Sequence, residues 1–165
     1  MSGIVSGSQI DNSGVVGGYP AGHIIQVTSM TPNNTGASST GSSAATNCAH
    51  SITISVANKI FITGLVPIRF ANVSGDYIDS RIDIFHSTDG SSYSVITDAF
   101  TRIYWDNAVA HSGAYLDQVV AFSYLHTPGA TTNYYKIYID LGGSSTVTVS
   151  QASTYSQMTL MEVVK

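Results

Sequence analysis

Tyr134-Tyr-Lys-Ile-Tyr-Ile-Asp-Leu141 is the stretch that decides the fold. Tyr134, Lys136, Tyr138 and Asp140 fall on one side, and Tyr135, Ile137 and Ile139 on the other. A period of two with one apolar side is the mark of a half-buried β-strand. Working outward, Ser51-Ile-Thr-Ile-Ser-Val56 alternates in the same way, with Ile52, Ile54 and Val56 expected on one face. Tyr77 to Ser87 sets Ile78, Ile82 and Ile84 against Asp79, Arg81 and Asp83, and Asp89-Gly90 follows as a hairpin turn because glycine takes positive φ at low cost. Further strands are predicted at His23–Met30, Lys59–Phe70, Ser92–Thr97, Leu116–Leu125, Thr146–Ser150 and Gln157–Val164. Gly64 and Pro67 predict a bend or an edge position for Lys59–Phe70. Thr31–Asn47 reads as loop or weak edge strand, and Phe100–Tyr115 as the least regular part of the domain. About eight to ten short strands at spacings of about 8–15 residues predict an all-β fold, a β-sandwich of jelly-roll-like form. No helix of normal length and no repeat of fixed period is read anywhere.

Composition agrees. The 165 residues include 24 Ser and 17 Thr, 16 Ile and 15 Val, but only 5 Leu and a single glutamate, Glu162. β-Branched residues fit a pleated surface, whereas helices draw on Leu, Glu and Lys, so a helical bundle is excluded. With 43% hydrophobic residues the chain has enough apolar material for a core. Only 10% of residues are charged. The polar face is therefore built from hydroxyls.

The charge pattern excludes several functions. The six cations, Lys59, Arg69, Arg81, Arg102, Lys136 and Lys165, are scattered, and the net charge is -4. Nucleic acid and anionic membrane both demand clustered Lys and Arg, so neither is an expected partner. No apolar run reaches the length of a membrane span, and the N-terminus lacks the basic and apolar regions of a secretory signal. Cys48 stands alone without a neighbouring cation, and reads as a small unreactive side chain. G-x-S-x-G, G-x-G-x-x-G, P-loop and H-E-x-x-H patterns are absent. Asp76, Asp79, Asp83 and Asp89 are the acids available to a glycosidase, yet Asp79 and Asp83 read more simply as a solvated strand face. The five histidines, His23, His50, His86, His111 and His126, share no local ligand spacing. Each is expected to be solvated or hydrogen-bonded; a metal would need three copies of one histidine at a threefold axis. The expectation is a non-enzyme without cofactor or metal.

Two regions carry candidate binding residues. Residues 1–20 form an extended N-terminal docking tail ahead of a 21–165 sandwich domain, and the apolar pairs Ile4-Val5 and Val15-Val16 suit a docking strand. A floppy terminus is the alternative. Tyr104, Trp105, Asp106, Asn107, His111 and Tyr115 crowd one stretch, mixing aromatic faces with hydrogen-bonding groups as a receptor or sugar-ring contact requires. The same mix marks protein interfaces, and Trp105 as a core or packing residue is an equal alternative.

The order of several segments is also familiar. Gly22-His-Ile-Ile-Gln-Val27, Ser51-Ile-Thr-Ile-Ser55, Lys59-Ile-Phe-Ile62, Phe122-Ser-Tyr-Leu-His-Thr-Pro-Gly-Ala-Thr-Thr132, Tyr135-Lys-Ile-Tyr-Ile139 and Gln157-Met-Thr-Leu-Met-Glu-Val163 follow one another. This series resembles a β-sandwich module of bacteriophage virion proteins, tail-fibre-like and common in marine and cyanobacterial phages. The resemblance covers about residues 20–165, and Met1-Ser-Gly-Ile-Val5 with Gly14-Val-Val-Gly17 resembles the short N-terminal stretch of such proteins. It implies a homotrimer with a structural or attachment role in the virion, assembled in the host bacterial cytoplasm. The implied partners are other virion proteins through the tail and, as a candidate, a host-surface glycan. Capsid decoration, with the sandwich as a knob, is the alternative role, and a depolymerase trails as a third. The Arg102 to His111 region is longer and more individual than its counterpart in such modules, so ligand chemistry does not carry over there.

Overall fold

The computed structural model describes residues 19–32, 37–39, 43–71, 78–105, 115–142, 146–149 and 155–165. Ten strands run through them: β1 (Ile24–Ser29), β2 (Ala37–Ser39), β3 (Ser43–Thr53), β4 (Lys59–Ala71), β5 (Ile78–Ser87), β6 (Ser94–Trp105), β7 (Tyr115–His126), β8 (Thr132–Gly142), β9 (Thr146–Val149) and β10 (Gln157–Val163). Among the described residues there is no helix, hence none long and apolar enough to cross a membrane. One sheet has the order β1-β10-β4-β7, with β9 and then β2 continuing beside β4 beyond the end of β10. The second has the order β3-β8-β5-β6, and all pairings are antiparallel. The protein is an all-β sandwich of two sheets, the double-sheet arrangement of a jelly roll.

The core follows from the period of two. Tyr135, Ile137 and Ile139 of β8 and Ile82 and Ile84 of β5 are fully buried. They meet Ile60, Ile62, Val66 and Phe70 of β4, Phe122 of β7 and Met158 and Leu160 of β10 in one cluster. Each such side chain contributes about 1.5–3 kcal/mol by leaving water. Cys48 lies fully buried in the same cluster, with Sγ 3.7 Å from the Gln157 carbonyl oxygen, and burial pushes its thiol up to about 12.

Three expectations are corrected. Lys59–Ala71 is not an edge strand but the centre of its sheet, hydrogen-bonded to β7 on one side and to β10 and β9 on the other. Pro67 is tolerated there because β10 reaches only Leu65 and β9 begins only at Ile68, so the proline falls in the gap between them. The Ser51–Val56 alternation ends early: Ile52 and Ile54 are buried, but β3 stops at Thr53 and Val56 lies exposed in a turn. Phe100–Trp105 and Tyr115, expected to be irregular, lie in strands. β6 stays paired with β5 through Trp105, and β7 begins at Tyr115. Thr101 and Ile103 alternate with the more exposed Arg102 and Tyr104, so the period of two was present beneath the unusual side chains. The tail positions Ile4, Val5, Val15 and Val16 lie outside the described residues.

Candidate functional site

Among the described residues β6 pairs only with β5, and β7 only with β4, so each stands at the edge of its sheet. The two edges flank a cleft of about 440 Å3 lined by Thr101, Arg102, Ile103 and Tyr104 from β6 and Gln118, Val119, Val120 and Ala121 from β7. Its exposed residues are chemically mixed. Tyr104 is 57% exposed and Val119 66%, while the Arg102 guanidinium sits 5.5 Å from the centre of the Tyr104 ring. Arg102 is aimed by Asp79 on the neighbouring strand through two hydrogen bonds of 2.7 and 2.8 Å. That pairing holds the Asp79 carboxyl below its usual range and raises Arg102. A rigid cation beside an aromatic face, with an aliphatic wall opposite, can hold a planar or ring-shaped polar ligand or an aromatic side chain of a partner.

Of the residues singled out in the sequence, Tyr104 lines this cleft. Trp105 closes β6 opposite Ile78, and Tyr115 opens β7 opposite Ala71. Asp106, Asn107 and His111 lie outside the described residues. The cleft residues Thr101–Tyr104 and Gln118–Ala121 bracket the 106–114 segment in sequence. Arg102, Thr101, Gln118 and Val119 were missed as site residues. The available signal was their position on strands flanking the aromatic-rich segment.

Of the acids considered for hydrolysis, Asp79 and Asp89 are held in hydrogen bonds, Asp83 buries its Oδ1 without a hydrogen-bond partner, and Asp76 lies outside the described residues. Asp89 accepts from the Ser91 and Ser92 amides, both at 2.8 Å, and these bonds with that from Ser87 hold its carboxyl far below the usual range. Asp117 is fixed by Arg69 and is likewise lowered. Among the described residues no three His, Cys, Asp or Glu gather as metal ligands.

The fold does join two histidines that sequence spacing kept apart. His126 of β7 crosses to the other sheet, where its Nδ1 lies 2.9 Å from the Tyr135 hydroxyl. His86 packs edge-on against it, ring centres 4.8 Å apart, and bonds Asn133 at 2.9 Å. Burial, and then the facing His86, holds His126 down at about 4. Its folded value lies below the ordinary 6.5, so the unfolded chain binds more protons between these limits. The stability it contributes is complete above about 6.5 and is lost as the pH falls through about 4. Because the ring is only half buried, about 1–2 kcal/mol is at stake. His50, also lowered by burial, acts in the same direction. Thermal melts between pH 7 and pH 4 should show this loss, reduced in His126→Asn; parallel profiles for the two proteins would refute the assignment.

No protein-family model matches the sequence, and no curated protein matches it. Among solved structures the chain is similar to T=1 particles derived from infectious bursal virus, with a TM-score of 0.38 and 14% identity over 85% of this chain and 36% of that one. It is also similar to the Gt strain of infectious bursal disease virus, with a TM-score of 0.36 and 12% identity over 88% and 39%. The VP2 subviral particle of that virus follows at 0.34 and 14% over 85% and 38%. The chain spans less than two fifths of each of these viral chains. Overlap at this level is partial and assigns neither family nor role.

Proposed function

We propose that the chain is a non-enzymatic bacteriophage virion protein, a homotrimeric tail-fibre or attachment subunit that offers one end of its sandwich to the host surface. The observation that carries the reading is the β6–β7 cleft, where exposed Tyr104 and Val119 and the clamped Arg102 come together. The resemblance of the ordered strand segments to phage virion modules supports the same role. Binding is favoured over hydrolysis because Asp79 and Asp89 are held in hydrogen bonds that keep them ionised, which leaves neither as a proton donor. On this reading the N-terminal tail docks on other virion proteins, the candidate receptor is a host glycan, and no cofactor takes part.

Tyr104→Ala should weaken adsorption to host cells about tenfold, the effect of losing one aromatic contact, with oligomer mass and melting unchanged. Unimpaired adsorption, or antibody label on the head instead of the tail, would refute attachment, and head label would favour capsid decoration.

A further inference from the structure

The two outer faces of the sandwich differ in chemistry. On the β3-β8-β5-β6 sheet the outer face carries Asp79, Arg81, Asp83, Arg102, Lys136 and Asp140, with Arg81 paired to Asp140 at 2.9 Å. Such a surface is at ease in water. On the β1-β10-β4-β7 sheet the strand registers align a different set. Val27, Met161, Phe61 and Leu125 form one row across all four strands. The next row is Ser29, Thr159, Thr63 and Ser123, all hydroxyls. Beyond it come Gln157, Leu65 and Ala121, and then Pro67 and Val119. Val27 is 57% exposed, Leu125 48% and Val119 66%. Among the described residues the charges lie only at the two ends of this face, Lys59 at one and the Arg69–Asp117 pair at the other.

We propose that the outer face of the β1-β10-β4-β7 sheet is buried against the same face of other copies of this chain. Its chemistry selects that occupant. Uncharged rows of aliphatic and hydroxyl side chains give a cationic or anionic partner nothing to pair with, yet two copies meet without like-charge repulsion. Side chains from two such faces interdigitate as they do inside a sandwich. Four strands at about 4.8 Å and about eight residues at about 3.3 Å give about 500 Å2 per copy. Three such faces gathered about a threefold axis therefore bury about 1,500 Å2 in all, within the range of specific interfaces. The inference deepens the homotrimer reading above and rests on it for stoichiometry alone. It names the shared face, and it leaves the charged face and the β6 wall of the cleft facing outward, while Val119 and Ala121 of the β7 wall lie at the border of the shared face.

The test is mass by light scattering during size exclusion at micromolar concentration. Wild type should run as an oligomer. Leu125→Glu and Val27→Glu, at opposite ends of the apolar row, should run as the 17.4 kDa monomer with an unchanged far-ultraviolet β spectrum. Ser51→Glu, on the outer face of the other sheet, should keep the oligomer. An oligomer that survives both row variants would overturn the face while leaving the homotrimer standing. A monomeric wild type would overturn both. Should one row variant fail to fold, the other decides. Host adsorption by the Tyr104 variant is scored separately, so failure of the attachment role does not touch this result.

Discussion

Gly64→Ala is expected to destabilise the protein by about 3 kcal/mol, lowering the midpoint of thermal unfolding by about 6–12 °C. Gly64 lies in the central strand β4, opposite Met158 of β10 and Phe122 of β7. A Cβ placed there would strike the backbone carbonyl oxygen of Gln157 and would come within 2.6 Å of Cζ of Phe122. The ring can turn away, but the Gln157 carbonyl belongs to a paired strand and can move only if β10 shifts. That shift would disturb Met158 and Leu160, which are buried in the core. Backbone collision therefore puts the cost at the upper end of the usual overpacking range of about 1–3 kcal/mol. Phe122→Leu in the same chain should not restore stability, since it relieves the ring and leaves the carbonyl contact. Urea unfolding of the single and double variants checks this. A loss below about 1 kcal/mol would show that β4 and β10 separate easily.

The same glycine shows where the sequence was legible and where it was not. Strand faces were readable from the period of two because every inward position repeats within one segment. Tyr135, Ile137 and Ile139 are fully buried, and their neighbours Tyr134, Lys136, Tyr138 and Asp140 are not. Pairing was not readable, because it depends on which distant strand arrives alongside. Gly64 and Pro67 look like edge residues when β4 is read alone. They become central-strand residues once Phe122 covers the one and the gap between β10 and β9 receives the other. The cleft was half legible. Tyr104 announced itself by type, whereas Val119 is an ordinary strand residue until β7 is placed as an edge opposite β6. His86 and His126, 40 positions apart, meet only through the packing of β7 over β8. The low charge count was informative in a way that needed the structure. It reflects one sheet face whose charges are confined to its ends.

Glu162→Ala is expected to cost about 3–4 kcal/mol, the largest loss predicted for a polar side chain in this protein. Glu162 is the only glutamate in the sequence and is 5% exposed, facing inward on β10 in line with Met158 and Leu160. Its Oε1 accepts hydrogen bonds from the Ser55 amide at 2.8 Å and from Asn58 Nδ2 at 2.7 Å. Asn58 is itself buried and closes the β3–β4 turn through its amide on the Ser55 carbonyl at 2.9 Å. One carboxylate thus fixes the entry to the central strand of one sheet and the exit from the edge strand of the other. Alanine would leave the Ser55 amide and the Asn58 side chain without an acceptor, each at about 1–3 kcal/mol, and would open a cavity between them. Glu162→Gln keeps the volume and one acceptor oxygen but gives up the charge, so its loss should be about half that of alanine. Hydrogen exchange separates this account from a general loss of packing. The Ser55 and Asn58 amides should lose protection more than Ile137 and Ile139 do. Equal loss at all four would mean that Glu162 supports the whole core instead of this turn.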